Sequence, residues 1–220
     1  RLFVNNQPEK ILGDEEQQHG YIVTTSAQLD IPQLYKAYGF LPVQETQSNS
    51  GFIYIFQGLT DAIAKDIKAL PEVTEIKEMV EKKGEGALRF KLNADKTAYT
   101  KNIDTTQSIY PINKPWNQDW YGPLRIPKKG DVVTLNQETL PEYQWIISEY
   151  EHNKLENRNG KIFVNGKETT QYTIKQDYYM MIGDNRDASL DARFFGFVPE
   201  ENIVGSPMFT WMSVEGLFAD

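Results

Sequence analysis

Along the chain, hydrophobic positions alternate in two different periods. Tyr21–Thr25, Phe52–Phe56 and Thr74–Val80 read as β-strands, and Ile31–Tyr38 and Asp61–Leu70 between them carry the wider spacing of helices. Asp30 and Thr60 are placed to cap those two helices. Pro32 suits a first helical turn, and Gly39 suits a C-terminal stop. Strands and short helices in this order predict a small α+β unit, closed near Lys82–Glu85.

From Ala87 the pattern becomes mainly extended. Ala87–Leu92 reads as a strand, Asn102–Gln107 as a polar connection, and Arg125–Leu135 as a turn leading into an apolar strand. Thr139 and Glu142 have the spacing of a capping box ahead of Tyr143, Ile146, Ile147 and Tyr150, a helical stripe that ends near Asn153. Further strands are predicted at Lys161–Asn165, Gln171–Ile174, Tyr178–Ile182, Phe194–Val198 and Val204–Met212. The aromatic cluster Tyr110, Trp116, Trp120 and Tyr121 reads first as core or a packed loop, with an apolar contact surface as the alternative. Arg1–Glu9 (RLFVNNQPE) and Lys161–Glu168 (KIFVNGKE) echo each other as strand-turn-strand patterns around Asn5-Asn6 and Asn165-Gly166. The expected fold is therefore mainly β and antiparallel with an α+β insert. Residues 1–20 and 86–220 would form the β-rich body and residues 21–85 the insert.

The 220 residues are 40% hydrophobic, enough for a sizeable core. A net charge of −8 without clustered Lys and Arg argues against a nucleic-acid partner. There is no cysteine, which rules out disulfides and thiolate metal sites. No apolar run reaches the roughly 18 residues of a membrane span. The chain opens at Arg1 within a strand-like run and without a Met, so the expectation is a soluble portion of a longer protein.

One segment concentrates the polar chemistry. Gly183–Arg193 (GDNRDASLDAR) holds Asp184, Asn185, Arg186, Asp187, Ser189, Asp191 and Arg193 between two apolar runs. Groups crowded there must satisfy one another, and two Arg forks facing three carboxylates can do so. Charge pattern alone leaves a salt-bridged turn and a functional loop equally open. A calcium loop fails on spacing, because Arg186 and Ala188 occupy alternate positions counted from Asp184. His19 and His152 stand alone, which supports neither a zinc site nor a Ser-His-Asp triad.

The run YYMMIGDNRDASLDARFFGFVPEENIVGSP, Tyr178–Pro207, resembles the C-terminal signature block of bacterial type I signal peptidases. In that block GDNRD, a Ser-x-Asp-x-Arg core and Gly-Phe-Val-Pro follow in order. Arg125–Leu135 and Lys161–Lys167 are more weakly similar to the family's Pro-Lys-Arg-Gly-Asp-Ile-Val strand and its Gly-Lys-x-x-Val-Asn-Gly hairpin, whereas Tyr21–Trp120 matches no named pattern. The resemblance implies a Ser-Lys endopeptidase without a cofactor, acting on signal peptides of exported preproteins. It would work against the lipid surface of the bacterial plasma membrane, on the outer, periplasmic face. A lysine serves as general base there only if an apolar setting lowers its pKa.

By position, Ser189 matches the serine that supports the lysine, Asp191 and Arg193 the pair bracing the loop, and Gly183, Asp184, Asn185, Arg186 and Asp187 its turn. Ala188 and Ala192 replace residues that are commonly polar in the motif. The family's Ser-Met-x-Pro-Thr and Lys-Arg-x-x-Gly-x-x-Gly-Asp segments do not occur in this sequence, and Ser213 follows a Met instead of preceding one. The expectation is that nucleophile and base lie upstream of Arg1 and that these residues alone are inactive. A non-catalytic homologue, or a binding module whose α+β unit recognises a partner protein, is the alternative.

Overall fold

The computed structural model describes residues 3–8, 17–84, 88–92, 99–103 and 109–205. A first hairpin joins β1 (Phe3–Val4) to β2 (Gln7–Pro8). Its turn residues Asn5 and Asn6 both take left-handed backbone, φ 52° and 62°, the conformation of a primed two-residue turn that Asn tolerates.

The α+β unit follows, as β3 (Gln18–Thr25), α1 (Ile31–Tyr38), β4 (Gln44–Ser48), β5 (Gly51–Thr60), α2 (Asp61–Lys68) and β6 (Val73–Glu78). Its four strands are ordered β4-β5-β3-β6 and every pairing is antiparallel. Both helices begin as their sequences dictate: Asp30 accepts from the Gln33 N–H (3.0 Å) and Thr60 from the Ile63 N–H (3.4 Å). Gly39, at φ 74°, ends α1 by donating to the Tyr35 carbonyl. Leu34, Ala64 and Ile67 of the helices pack on Tyr21, Val23, Tyr54 and Phe56 of the sheet, forming one of two hydrophobic cores. Strand β4 carried no hydrophobic signal, because QETQS is polar throughout. It forms as an edge strand, paired to β5 from Gln44↔Ile55 to Ser48↔Gly51.

The rest is mainly antiparallel β. β7 (Leu88–Leu92) pairs with β8 (Tyr99–Ile103), and β9 (Val132–Thr134) leads to α3 (Leu140–Trp145), which continues as a wider π-type turn over Ile146–Tyr150. β10 (Leu155–Arg158), β11 (Lys161–Val164) and β12 (Lys167–Glu168) form a meander, and β13 (Gln171–Thr173) returns to β9. The meander turns at Asn159-Gly160 and Asn165-Gly166, all four residues at positive φ. The second of these was legible in sequence as a hairpin signal. β14 (Tyr178–Tyr179) and β15 (Val198–Pro199) pair across the polar loop and a one-turn helix α4 (Ala192–Phe195).

The second core gathers Val133, Leu135, Tyr143, Ile146, Ile147, Ile174 and Phe197. Glu151, buried at the end of the π-type turn, accepts from the hydroxyls of Tyr172 and Tyr178 and from the Lys175 N–H. One carboxylate thus ties three segments together.

Three expectations fail. Thr139 makes no side-chain cap. Its backbone is already helical (φ −89°, ψ −18°), which turns the hydroxyl away from the first-turn amides toward the Thr134 carbonyl, and Asn136 accepts from the Glu138 and Thr139 N–H groups instead. Phe194–Val198 is not a strand, because Asp191 caps Ala192–Phe195 as a helical turn that Gly196 (φ 87°) ends, leaving only Val198–Pro199 extended. Tyr178–Ile182 pairs over its first two residues only. In the Val204–Met212 segment, Val204 and Gly205 are not in a strand, and the remainder lies outside the described residues, as does the 104–107 part of the Asn102–Gln107 connection.

Candidate functional site

The loop Gly183–Arg193 closes on itself at its neck, where the Ala192 N–H donates to the Met181 carbonyl (3.0 Å). Inside the neck, Asp191 organises the geometry. Its carboxylate accepts from the Gly183 N–H (3.0 Å), the Arg193 N–H (3.0 Å), Arg193 Nε (2.9 Å) and Arg193 Nη2 (2.8 Å). The two side chains are 7% and 4% exposed, so this bidentate pair is shielded from water. Burial alone would raise the Asp191 pKa. The hydrogen bonds from Arg193 and Gly183, with the guanidinium charge, outweigh it and hold the carboxyl below its ordinary value.

Arg193 has donors left over. Nη2 also donates to the Arg186 carbonyl (2.6 Å) and Nη1 to the Gln118 carbonyl (3.3 Å), which fastens the loop to a neighbouring segment.

Ser189 packs on the same Gly183 whose N–H donates to Asp191. Its N–H donates to the Asn185 carbonyl (2.9 Å), and its side chain lies against the bare Cα of Gly183. A Cβ at Gly183 would stand 2.2 Å from Ser189 Oγ and 2.7 Å from Ser189 Cβ, so glycine is required there by space alone. Asn185 Oδ1 accepts from the Ala188 N–H (3.2 Å), which shapes the turn leading to Ser189. The arrangement leaves Ser189 half-buried against Gly183, where its hydroxyl can orient a neighbouring polar group.

All eight residues singled out in the sequence, Gly183, Asp184, Asn185, Arg186, Asp187, Ser189, Asp191 and Arg193, thus lie in one loop with interlocking roles. The expected three carboxylates separate: Asp191 takes the Arg193 fork, whereas Asp187 accepts from the backbone N–H of Gly20. Burial pushes the Asp187 carboxyl above its ordinary value, against the opposing effect of the Gly20 hydrogen bond. Asp184 contributes its carbonyl, which accepts from the Gln18 N–H (3.0 Å).

Sequence reasoning missed the partners of this loop. Gln18, Gly20 and Gly58 come from the α+β unit and Gln118 from the segment before Tyr121. Only the glycine inside strand β5 hinted that something approaches its backbone closely. The aromatic cluster divides: Tyr110 packs edge-on against Phe197 in the core (5.5 Å), Trp116 lies against Tyr121 (5.0 Å), and Trp120 is half-exposed. His19 faces Glu78 at 3.6 Å.

Residues 121–212 match the family model described as signal peptidase, peptidase S26. The chain is 35% identical over 117 residues to signal peptidase I of Haemophilus influenzae, covering 53% of this chain and 28% of that protein. It is 52% identical over 44 residues to signal peptidase I of Buchnera aphidicola subsp. Schizaphis graminum, which covers 20% of this chain and 14% of the relative. With signal peptidase I of Helicobacter pylori it shares 47% over 53 residues, 24% of this chain and 18% of the relative. The chain thus spans less than a third of the length of these curated relatives. No solved structure matches it. The resemblance to bacterial type I signal peptidases read from Tyr178–Pro207 therefore holds for the C-terminal portion of the chain.

Proposed function

We propose that this chain, similar in its C-terminal portion to type I signal peptidases, forms the supporting wall of a Ser-Lys active site that removes signal peptides from exported preproteins. The observation that carries the reading is the seating of Ser189, whose side chain is fixed on Gly183 inside a loop braced by the buried Asp191–Arg193 pair.

A lysine acts as base only when neutral, and a hydroxyl held beside its amine fixes the direction of the nitrogen lone pair. Ser189 has that role in this reading, and Asp191 and Arg193 hold it there. Gly183 to Asp187 shape the turn, and the α+β unit, expected over residues 21–85 and starting with β3 at Gln18, forms an insert in a body made of the residues on either side of it. The nucleophile and base come from residues that precede Arg1, and the reaction takes place at the outer face of the bacterial plasma membrane. Among the described residues, no helix is long and apolar enough to cross a membrane.

Two assays test this. The 220-residue chain alone, incubated with a leader peptide ending in a small-x-small site, is expected to show no turnover; cleavage above background would sink the assignment of nucleophile and base to other residues. In the longer enzyme, Ser189→Ala is expected to lower kcat by about 10² or more, the contribution of a positioned proton-transfer partner. An unchanged kcat would remove Ser189 from the chemistry.

A further inference from the structure

The signature loop is gripped from outside by the α+β unit, at two separate places. At the first, Gln18 at the start of β3 bonds across the loop on both sides. Its N–H donates to the Asp184 carbonyl (3.0 Å), and its own carbonyl accepts from the Arg186 N–H (2.9 Å), forming a parallel rung with Asn185 between. Two residues on, the Gly20 N–H donates to the Asp187 carboxylate. The neighbouring strand supplies a seat: Gly58, at φ 98°, has no Cβ, and one placed there would stand 2.6 Å from Asn185 Nδ2. The Asn185 side chain therefore rests on the bare backbone of β5, and the carbonyl of this same Asn185 holds the Ser189 N–H.

The second grip is indirect. Where the unit ends, the buried Glu81 accepts from the Gln118 N–H (2.9 Å), and the Lys82 carbonyl accepts from Asn117 Nδ2 (2.7 Å). Asn117 is completely buried and also accepts from the Asp119 and Trp120 N–H groups. Trp120 Nε1 in turn donates to the Glu81 carbonyl (2.8 Å). The segment so fixed presents the Gln118 carbonyl to Arg193. Both ends of the loop, Asp184–Asp187 and Arg193, are thereby tied to the α+β unit, the first to its strands and the second to the segment that follows β6.

We propose that the α+β unit is a positioning element for Ser189, with Asp187 as the residue that latches the signature loop to β3 and Asn185 as the link to the serine. The catalytic consequence rests on the reading of Ser189 given above; the latch itself does not. Local geometry supports the transmission. Arg186 and Ser189 bond respectively to Gln18 and Asn185, so a displacement at either grip moves the backbone that carries the hydroxyl. Charged and titratable groups around Asp187 are His19 from β3, Asp119 from the 117–120 segment and Arg193 from α4.

The test uses Asp187→Ala and Asp187→Asn in the 220-residue chain, followed by hydrogen exchange of peptides covering 183–193 and 52–60. Loss of a buried hydrogen bond to a charged group is expected to speed exchange in the loop about tenfold in Asp187→Ala, with the β5 peptide unchanged. Asp187→Asn retains an acceptor for Gly20 and is expected to keep the protection. In the longer enzyme the alanine variant should lose about tenfold or more in kcat with KM unchanged, as a misplaced supporting group would. Asn185→Ala provides a second route to the same readouts should Asp187→Ala unfold the unit, which would show as lost protection over 52–60. Unaltered loop exchange in both alanine variants overturns the latch. A loosened loop with wild-type kcat overturns the positioning role. Failure of Ser189→Ala to affect kcat instead strikes the functional reading and leaves the exchange result standing.

Discussion

Asp191→Ala removes the acceptor of four hydrogen bonds and strands the Arg193 guanidinium at 4% side-chain exposure. Breaking one side of a buried pair costs about 3–5 kcal/mol, because the surviving charge is left without water or counter-charge. For a chain of this size that lowers Tm by on the order of 10 °C. The assay is thermal unfolding followed by tryptophan fluorescence. All four tryptophans, Trp116, Trp120, Trp145 and Trp211, lie outside residues 17–84 in sequence, and Trp116 and Trp120 flank the Gln118 carbonyl that Arg193 holds, so the signal senses the surroundings of the loop. The double variant Asp191→Ala/Arg193→Met separates the two contributions: if the stranded charge dominates, removing it restores part of the loss. A single variant within about 2 °C of wild type would mean that water reaches Arg193, and the account of a dry, braced loop would be refuted.

Gly183→Ala places a methyl 2.2 Å from Ser189 Oγ, so the serine must shift; a loss of about 1–3 kcal/mol in urea unfolding is expected, and a neutral effect would contradict the seat described for Ser189. The two acids give opposite pH signatures. Asp191, with its pKa lowered in the fold, contributes stability that is complete above the ordinary Asp value of 3.8 and is lost as pH falls through the depressed one. Asp187, with its pKa raised, contributes stability that is complete below 3.8 and is lost as pH rises through the elevated one. Melting curves between acid and neutral pH should therefore show Asp187→Asn gaining on wild type as pH rises and Asp191→Asn losing ground; the reverse order would refute both environments.

The α+β unit was legible because its signals are local. Asp30, Thr60 and Gly39 fix helix ends through bonds to residues no more than four positions away, Pro32 through its preset φ, and the apolar residues of β3 and β5 announce a buried face. Strand β4 was not, since a polar edge strand is defined by its partner. Thr139 and the Phe194–Val198 run misled for a related reason: a capping hydroxyl and an apolar pair each suit more than one backbone, and the fold selects by what lies nearby.

The signature loop shows the division most clearly. Sequence by itself determined that the polar groups of Gly183–Arg193 must satisfy one another and which family the C-terminal portion resembles, because both depend on residue types within one short stretch, Tyr178–Pro207. Only the tertiary structure decided that Asp187 belongs to Gly20 and that Asn185 rests on Gly58. These contacts join positions more than a hundred residues apart, and a backbone N–H or a missing Cβ leaves almost no mark on the pattern of side chains.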